Sequence, residues 1–131
     1  ENEALDAVFG YTCGNDVTAR DIQRRESRYT RGKGFDTFAP VGPVMVPANE
    51  FVPGQHHIVT RVNGEVRQQS SLDDFIFPIP RVISFISHVM TLEPGDLIFT
   101  GTPSGVGPLK DGDTVEVEID GIGVLRNSVR R

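Results

Sequence analysis

Asn63-Gly64 separates two short runs, Ile58 to Val62 and Glu65 to Gln69, that suit extended backbone. A two-residue type I′ turn needs positive φ at both central positions, and Asn-Gly tolerates this better than other pairs. The spacing therefore predicts a β-hairpin, and a hairpin fixes which side chains face inward. The 14 Gly and nine Pro cut the rest of the chain into similarly short pieces, which points to a strand-rich domain with few helices. Val115, Val117 and Ile119 alternate with Glu116, Glu118 and Asp120 as a half-exposed strand, and Gly121-Ile122-Gly123 turns into a last strand through Val124 and Leu125. Ala7 to Asp16 is strand-like and closes on Gly14-Asn15-Asp16. Phe35 to Pro53 is extended, with Pro40, Pro43 and Pro47 allowing only edge or irregular strands. Glu93-Pro94-Gly95-Asp96 fits a type II turn leading into a buried strand, Leu97 to Thr100. One short helix is expected from Thr18, which with Asp21 has the spacing of a capping box. A second runs from Pro80 to Met90, with Val82, Ile83, Phe85, Ile86 and Val89 as a wide apolar face. This order has no βαβ rhythm and indicates an α+β fold, mostly strands, with a mainly antiparallel or mixed sheet.

A chain of 131 residues is expected to form a single domain. The first residues, Glu1 to Asp6, look like the interior of a fold rather than a natural start. A net charge of −5 argues against nucleic acid or an anionic membrane as the main partner. No apolar run approaches the roughly 18 residues that a membrane-spanning helix needs. The single cysteine, Cys13, has no partner for an internal disulfide, so a reducing, cytoplasmic setting and a buried, inert thiol are expected. Against the acidic background stands a basic run of Arg20, Arg24, Arg25, Arg28, Arg31 and Lys33, offset only by Asp21 and Glu26. It reads as a solvated surface or as a local funnel for a small anion; beyond Tyr29 it has no aromatic stacking pattern of a nucleic-acid patch.

Several side chains are candidates for chemistry. Asp16, between a strand end and a helix start, is a cap or one ligand of a hard divalent cation, which takes oxygen donors. Arg20 and Gln23 share a helix face at i and i+3, so with Asp16 they are able to converge. His56 and His57 point apart on an extended chain, and His88 suits a hydrogen-bonded helix boundary, so the three histidines predict no metal site. Gly101-Thr102-Pro103-Ser104-Gly105-Val106-Gly107 matches neither a P-loop nor a nucleophile elbow. It is either a tight turn or a loop whose backbone N–H groups and Thr102 approach an anion. Lys33, between two glycines, is either solvated or a donor to developing oxyanion charge.

Four blocks taken together carry a resemblance. Asp16-Val17-Thr18-Ala19-Arg20-Asp21-Ile22-Gln23 resembles the D-x-T-A-R-D-x-Q signature of the fumarylacetoacetate hydrolase family. Arg31 to Pro43 is similar to its R-G-K-x-F-D-T-F-x-P-x-G-P block, Val62 to Gln68 to its V-N-G-x-x-R-Q hairpin, and Thr100 to Gly107 to its T-G-T-P-x-G-V-G loop. The blocks occur in the family's order and span the chain from about Ala7 to Asn127.

The resemblance implies a mixed β-roll of the fumarylacetoacetase C-terminal-domain type, a homodimer, and the C-terminal portion of a larger catalytic domain. It also implies a Mg²⁺ or Mn²⁺ site in which Asp16 is the last of three carboxylate ligands. Arg20 and Gln23 would hold a small 2-oxo (di)carboxylic acid, Lys33 would polarise its oxygens as the catalytic residue, and Thr102 would bind its carboxylate. The implied activity is hydrolysis, decarboxylation or isomerisation through a metal-stabilised enolate. The family's two Glu ligands and its His-Glu acid–base pair lie upstream of the aspartate block, and nothing in these 131 residues resembles them; Glu1 and Glu3 are not in such a motif. A catalytically incomplete fragment or a non-catalytic binding module is therefore the alternative. Tyr29 replaces a common Trp, and Leu72 and Phe75 depart from the segment N-T-S-D-M-I-F.

Overall fold

The computed structural model describes residues 3–130. The readings placed on Glu1 and Asn2 lie outside the described residues. Strands predominate, with three short helices, in agreement with the α+β expectation. In chain order they are β1 (Gly10–Gly14), α1 (Arg20–Arg25), α2 (Thr30–Lys33), β2 (Val41–Pro47), β3 (His57–Val62), β4 (Glu65–Ser71), α3 (Ile79–Ser87), β5 (Thr114–Ile119) and β6 (Gly123–Ser128). β1 and β2 form a two-stranded sheet, and the other four strands form a sheet ordered β4-β3-β5-β6. Every one of these pairings is antiparallel.

The hairpin forms as the sequence dictates. Asn63 has φ 53° and Gly64 φ 81°, and Val62 sits opposite Glu65. Asn63 also fastens the turn to the start of β5: its Nδ2 donates to Asp113 Oδ1 (2.9 Å), and its Oδ1 accepts from the Thr114 backbone N–H (2.9 Å). That bond and the Lys110 N–H hold the Asp113 carboxyl below the usual carboxylate range, the Lys110 donor being the larger cause.

β5 alternates as expected, with Val115, Val117 and Ile119 buried. Val117 and Ile119 join Cys13, Phe51, Ile122 and Leu125 in the main core, with Tyr11, Val46, Ile58 and Leu72 packed around it. The core thus glues the β1-β2 pair to the larger sheet. Cys13 is wholly buried, its Sγ within 3.5 Å of the Gly123 carbonyl, and burial pushes the thiol pKa up. The inert-thiol reading fits these surroundings. Phe51 stacks on the His56 ring at 4.2 Å and meets Tyr11 at 5.3 Å.

Three expectations need correction. The first helix begins at Arg20 with Ala19 as its cap, and Thr18 Oγ1 donates back to the Asp16 carbonyl (3.1 Å) instead of capping. A short local bond within the Asp16–Thr18 turn outcompetes the capping geometry. Leu97 to Thr100 forms no strand and is not buried; Leu97 is 58% exposed and Phe99 42%. A strand needs a pairing partner, and the described residues offer it none. The helix expected over Pro80–Met90 is observed as Ile79–Ser87, Pro80 in its first turn as expected. Its Ile83 is buried, but Phe85 (72%) and Val89 (67%) face outward. Ile86, Met90, Leu92, Leu97, Ile98 and Phe99 line an open apolar cleft of about 410 Å³ beside it. The type II turn before this segment does form, with Gly95 at φ 99° and the Asp96 N–H on the Glu93 carbonyl (3.0 Å). No described helix is long and apolar enough to cross a membrane.

Leu125 reaches from β6 across the core toward Gly42 in β2. Leu125→Ala is expected to lower the unfolding free energy by about 2–5 kcal/mol, read by denaturant titration. A loss below about 1 kcal/mol would remove Leu125 from the core that joins the sheets.

Candidate functional site

The site is built first at the joint between α1 and α2. The Ala19 backbone N–H donates to the Gly32 carbonyl at 2.8 Å. Gly32 is buried, and a Cβ there would sit 3.4 Å from both the Ala19 carbonyl oxygen and the Gln23 nitrogen. The single turn of α2 thus packs directly on α1. Lys33, the next residue, is thereby carried to Asp16, and its ammonium donates to Asp16 Oδ2. Asp16 itself is held by its chain neighbours: the Asn15 N–H bonds the Pro40 carbonyl (3.1 Å) and Thr18 bonds the Asp16 carbonyl. On α1, Arg20 Nη1 donates to Gln23 Oε1 at 2.6 Å, as the i, i+3 spacing requires. Two pairs thus lie at or beside the α1–α2 joint, Lys33 with Asp16 and Arg20 with Gln23. Other members of the basic run are spent locally: Arg25 on Asp21 (3.4 Å) and Arg31 on Glu26 (2.6 Å).

The Gly-rich loop is positioned from two sides. Thr60 pairs with Gln68 but Arg61 with Val66, so Arg67 is an extra residue, a β-bulge on the outermost strand β4. Bulges at sheet edges re-aim side chains, and this one turns Gln68 onto the face of Thr60. Gln68 Nε2 then donates to Thr102 Oγ1 and to the Pro103 carbonyl, both at 2.7 Å. Gly105, at φ 105°, lies so close to the bulge that a Cβ would overlap the Arg67 carbonyl. From the other side Phe99 lies over the end of β1: a Cβ at Gly14 would meet Phe99 Cε1 at 2.6 Å. The segment leading to Thr102 thus lies against β1 two residues before Asp16. Sequence reasoning missed Gln68 and Phe99. Gln68 closes the V-N-G-x-x-R-Q block, which is the signal that would have found it; Phe99 carries no such signal.

The donor set settles what these residues are able to hold. Asp16 is 46% exposed, and its carboxylate is one hard oxygen donor. No group of three His, Cys, Asp or Glu side chains among the described residues encloses a cation. A hard divalent ion takes six or more oxygens, so Asp16 fits as one ligand and these residues alone do not complete a site. The histidines stand apart, as expected: His56 stacks on Phe51, His57 opens β3, and His88 ends α3 with Nδ1 2.6 Å from the Ser84 carbonyl.

The sequence model of the fumarylacetoacetate (FAA) hydrolase C-terminal region matches residues 1–130. The chain belongs to this family. It is 47% identical to the oxaloacetate tautomerase YisK of Bacillus subtilis over 137 residues, which covers 98% of this chain and 46% of that protein. It superimposes with a TM-score of 0.95 on the crystal structure of 2-hydroxyhepta-2,4-diene-1,7-dioate isomerase from Mycobacterium marinum, at 50% identity over 99% of this chain and 51% of that one. A fumarylpyruvate hydrolase from Pseudomonas aeruginosa, solved with Mn²⁺ and pyruvate, gives a TM-score of 0.91 at 40% identity, over 98% of this chain and 57% of that one. The chain spans about half the length of the curated relatives it matches. Members of the fumarylacetoacetate hydrolase family named here are thus hydrolases, isomerases and tautomerases of small acids.

In this family member the loop's seat depends on Gly105. Gly105→Ala is expected to lift residues 101–107 off β4, because both the overlap and the positive φ oppose a side chain. Hydrogen exchange of the loop amides should accelerate while β5 and β6 stay protected. Unchanged loop protection would contradict the docking on Arg67.

Proposed function

We propose that these residues are the C-terminal portion of a metal-dependent enzyme that hydrolyses, decarboxylates or isomerises a small 2-oxo (di)carboxylic acid. The observation that carries this reading is the Lys33–Asp16 pair at the α1–α2 joint, with Arg20 and Gln23 on the same joint. It joins a hard oxygen donor, Asp16, to the Lys33 ammonium, and the Arg20 guanidinium stands on the neighbouring helix. The relatives' names support the substrate class, and the Mn²⁺ and pyruvate of the Pseudomonas aeruginosa structure support a divalent cation beside a 2-oxo acid.

Asp16 would be one ligand of Mg²⁺ or Mn²⁺, the others coming from outside the described residues. When bound, the cation supplies Lewis-acid polarisation. The chain's own residues do the rest. Arg20, fixed in direction by Gln23, would pair with a carboxylate oxygen of the substrate, and a guanidinium held by a neighbour loses little freedom on binding. Gln23 retains its amide N–H₂ as a donor to the same ligand. Lys33 would give its ammonium to the oxygen that gains negative charge as the substrate becomes enolate-like. Here the ammonium bonds Asp16, and a donor held beside the reacting oxygen would stabilise the charge it gains. Thr102 would also donate to the carboxylate. A homodimer and a cytoplasmic setting accompany this reading.

The competing reading is a binding module without catalysis, favoured by the lack of a three-ligand cluster among the described residues. Calorimetric titration of the full-length protein with Mn²⁺ separates the two. Asp16→Ala is expected to abolish or greatly weaken binding; equal affinity in wild type and variant would remove Asp16 from any metal site. Lys33→Ala is expected to lower kcat on oxaloacetate or an acylpyruvate by about 10²–10³-fold. Its unfolding free energy should change by less than about 1 kcal/mol, since both partners of the ion pair are partly solvated. Unchanged turnover would sink the catalytic role given to Lys33.

A further inference from the structure

We infer that Gln68 is a positioning residue that fixes the Thr102 hydroxyl as a hydrogen-bond donor toward the bound carboxylate. The inference rests on the reading of Thr102 as a carboxylate contact and adds how that contact is oriented.

The two hydrogens of the Gln68 amide decide its orientation. The Gln68 amide nitrogen lies 2.7 Å from both Thr102 Oγ1 and the Pro103 carbonyl oxygen. A carbonyl only accepts, so the group facing Pro103 must be the N–H₂ end of the amide and not its oxygen. That nitrogen has two hydrogens, and two acceptors take them. Thr102 Oγ1 is consequently an acceptor from Gln68, and its own hydrogen is left to point elsewhere. Thr102 is exposed, so the hydrogen is turned toward a ligand-accessible side. A free hydroxyl rotates among donors and acceptors; one that already accepts is biased to donate. An anion, which only accepts, is the ligand such a hydroxyl suits.

The surroundings hold this arrangement. Gln68 is half-buried, on the strand that carries the Arg67 bulge, and the bulge puts it on the Thr60 face. Gly105 lets the loop settle against the Arg67 carbonyl, which brings Thr102 and Pro103 within reach of the amide. Gln68 therefore acts on a ligand only through Thr102, with no contact of its own required.

The test is a double-mutant cycle in the full-length protein, read as pyruvate affinity in the presence of saturating Mn²⁺. Gln68→Met keeps the length of the side chain and removes the donors without adding charge; Gln68→Ala serves if that variant does not fold. Thr102→Val should weaken pyruvate binding about tenfold or more, the scale of a lost bond to a charged group. Gln68→Met should weaken it severalfold alone and by less than about twofold in the Thr102→Val background. Its effect should fall on pyruvate Kd and on KM, with Mn²⁺ affinity and thermal midpoint close to wild type, a split that a merely structural role would not produce. If Thr102→Val weakens binding but Gln68→Met does nothing, or costs the same in both backgrounds, the positioning role is overturned while the Thr102 contact stands. If Thr102→Val itself has no effect, the carboxylate contact fails, and the inference with it.

Discussion

One extra residue in β4 decides how the Gly-rich loop meets the sheet. The Asn63-Gly64 turn sets Val62 opposite Glu65, and strict alternation from there would put Arg67, not Gln68, across from Thr60. Because side chains alternate faces, that register would turn Gln68 to the opposite side of the sheet. The bulge at Arg67 shifts the count by one, so Gln68 shares the face of Thr60 and reaches Thr102 and Pro103. It also leaves the Arg67 carbonyl at the sheet edge, where Gly105 comes against it. The loop is held by a side chain, by a close backbone approach and by Phe99 against Gly14, with no strand pairing of its own.

The core supplies the rigidity behind this. Cys13, Phe51, Val117, Ile119, Ile122 and Leu125 fasten the two-stranded sheet to the four-stranded one. β1 runs out of that core into Gly14, Asn15 and Asp16, so the candidate ligand sits within a few residues of the best-packed part of the molecule. α1 and α2, each too short to be stable alone, are held by the Ala19–Gly32 bond and by the contact of Gly32 with Ala19 and Gln23. The joint that carries Lys33 to Asp16 is tertiary in origin.

Much of this was legible in the chain itself. Asn63-Gly64 announced the hairpin, the Val115–Ile119 alternation announced a half-buried strand, and Pro94-Gly95 announced the turn, since each depends on residues adjacent in sequence. The i, i+3 spacing of Arg20 and Gln23 gave their contact, and four motif blocks gave the family. The failures were of another kind. Thr18 has the spacing of a cap, yet its hydroxyl turns back to the Asp16 carbonyl and the helix starts two residues later. Leu97 to Thr100 had a strand's composition, yet pairing requires a partner that composition does not reveal. Lys33 between two glycines reads as either solvated or an oxyanion donor, and its bond to Asp16 comes only from the folding of α2.

The sequence by itself determined turn types, strand alternation, the family and the inventory of charged and hydroxyl groups, because these follow from local backbone preference and side-chain chemistry. Only the tertiary structure decided which groups meet. The approach of Gly105, the turn of the Gln68 amide and the pairing of Lys33 with Asp16 arise from contacts between segments 17 to 38 residues apart. Register and close packing set such contacts, and neither is written in any one stretch of the chain.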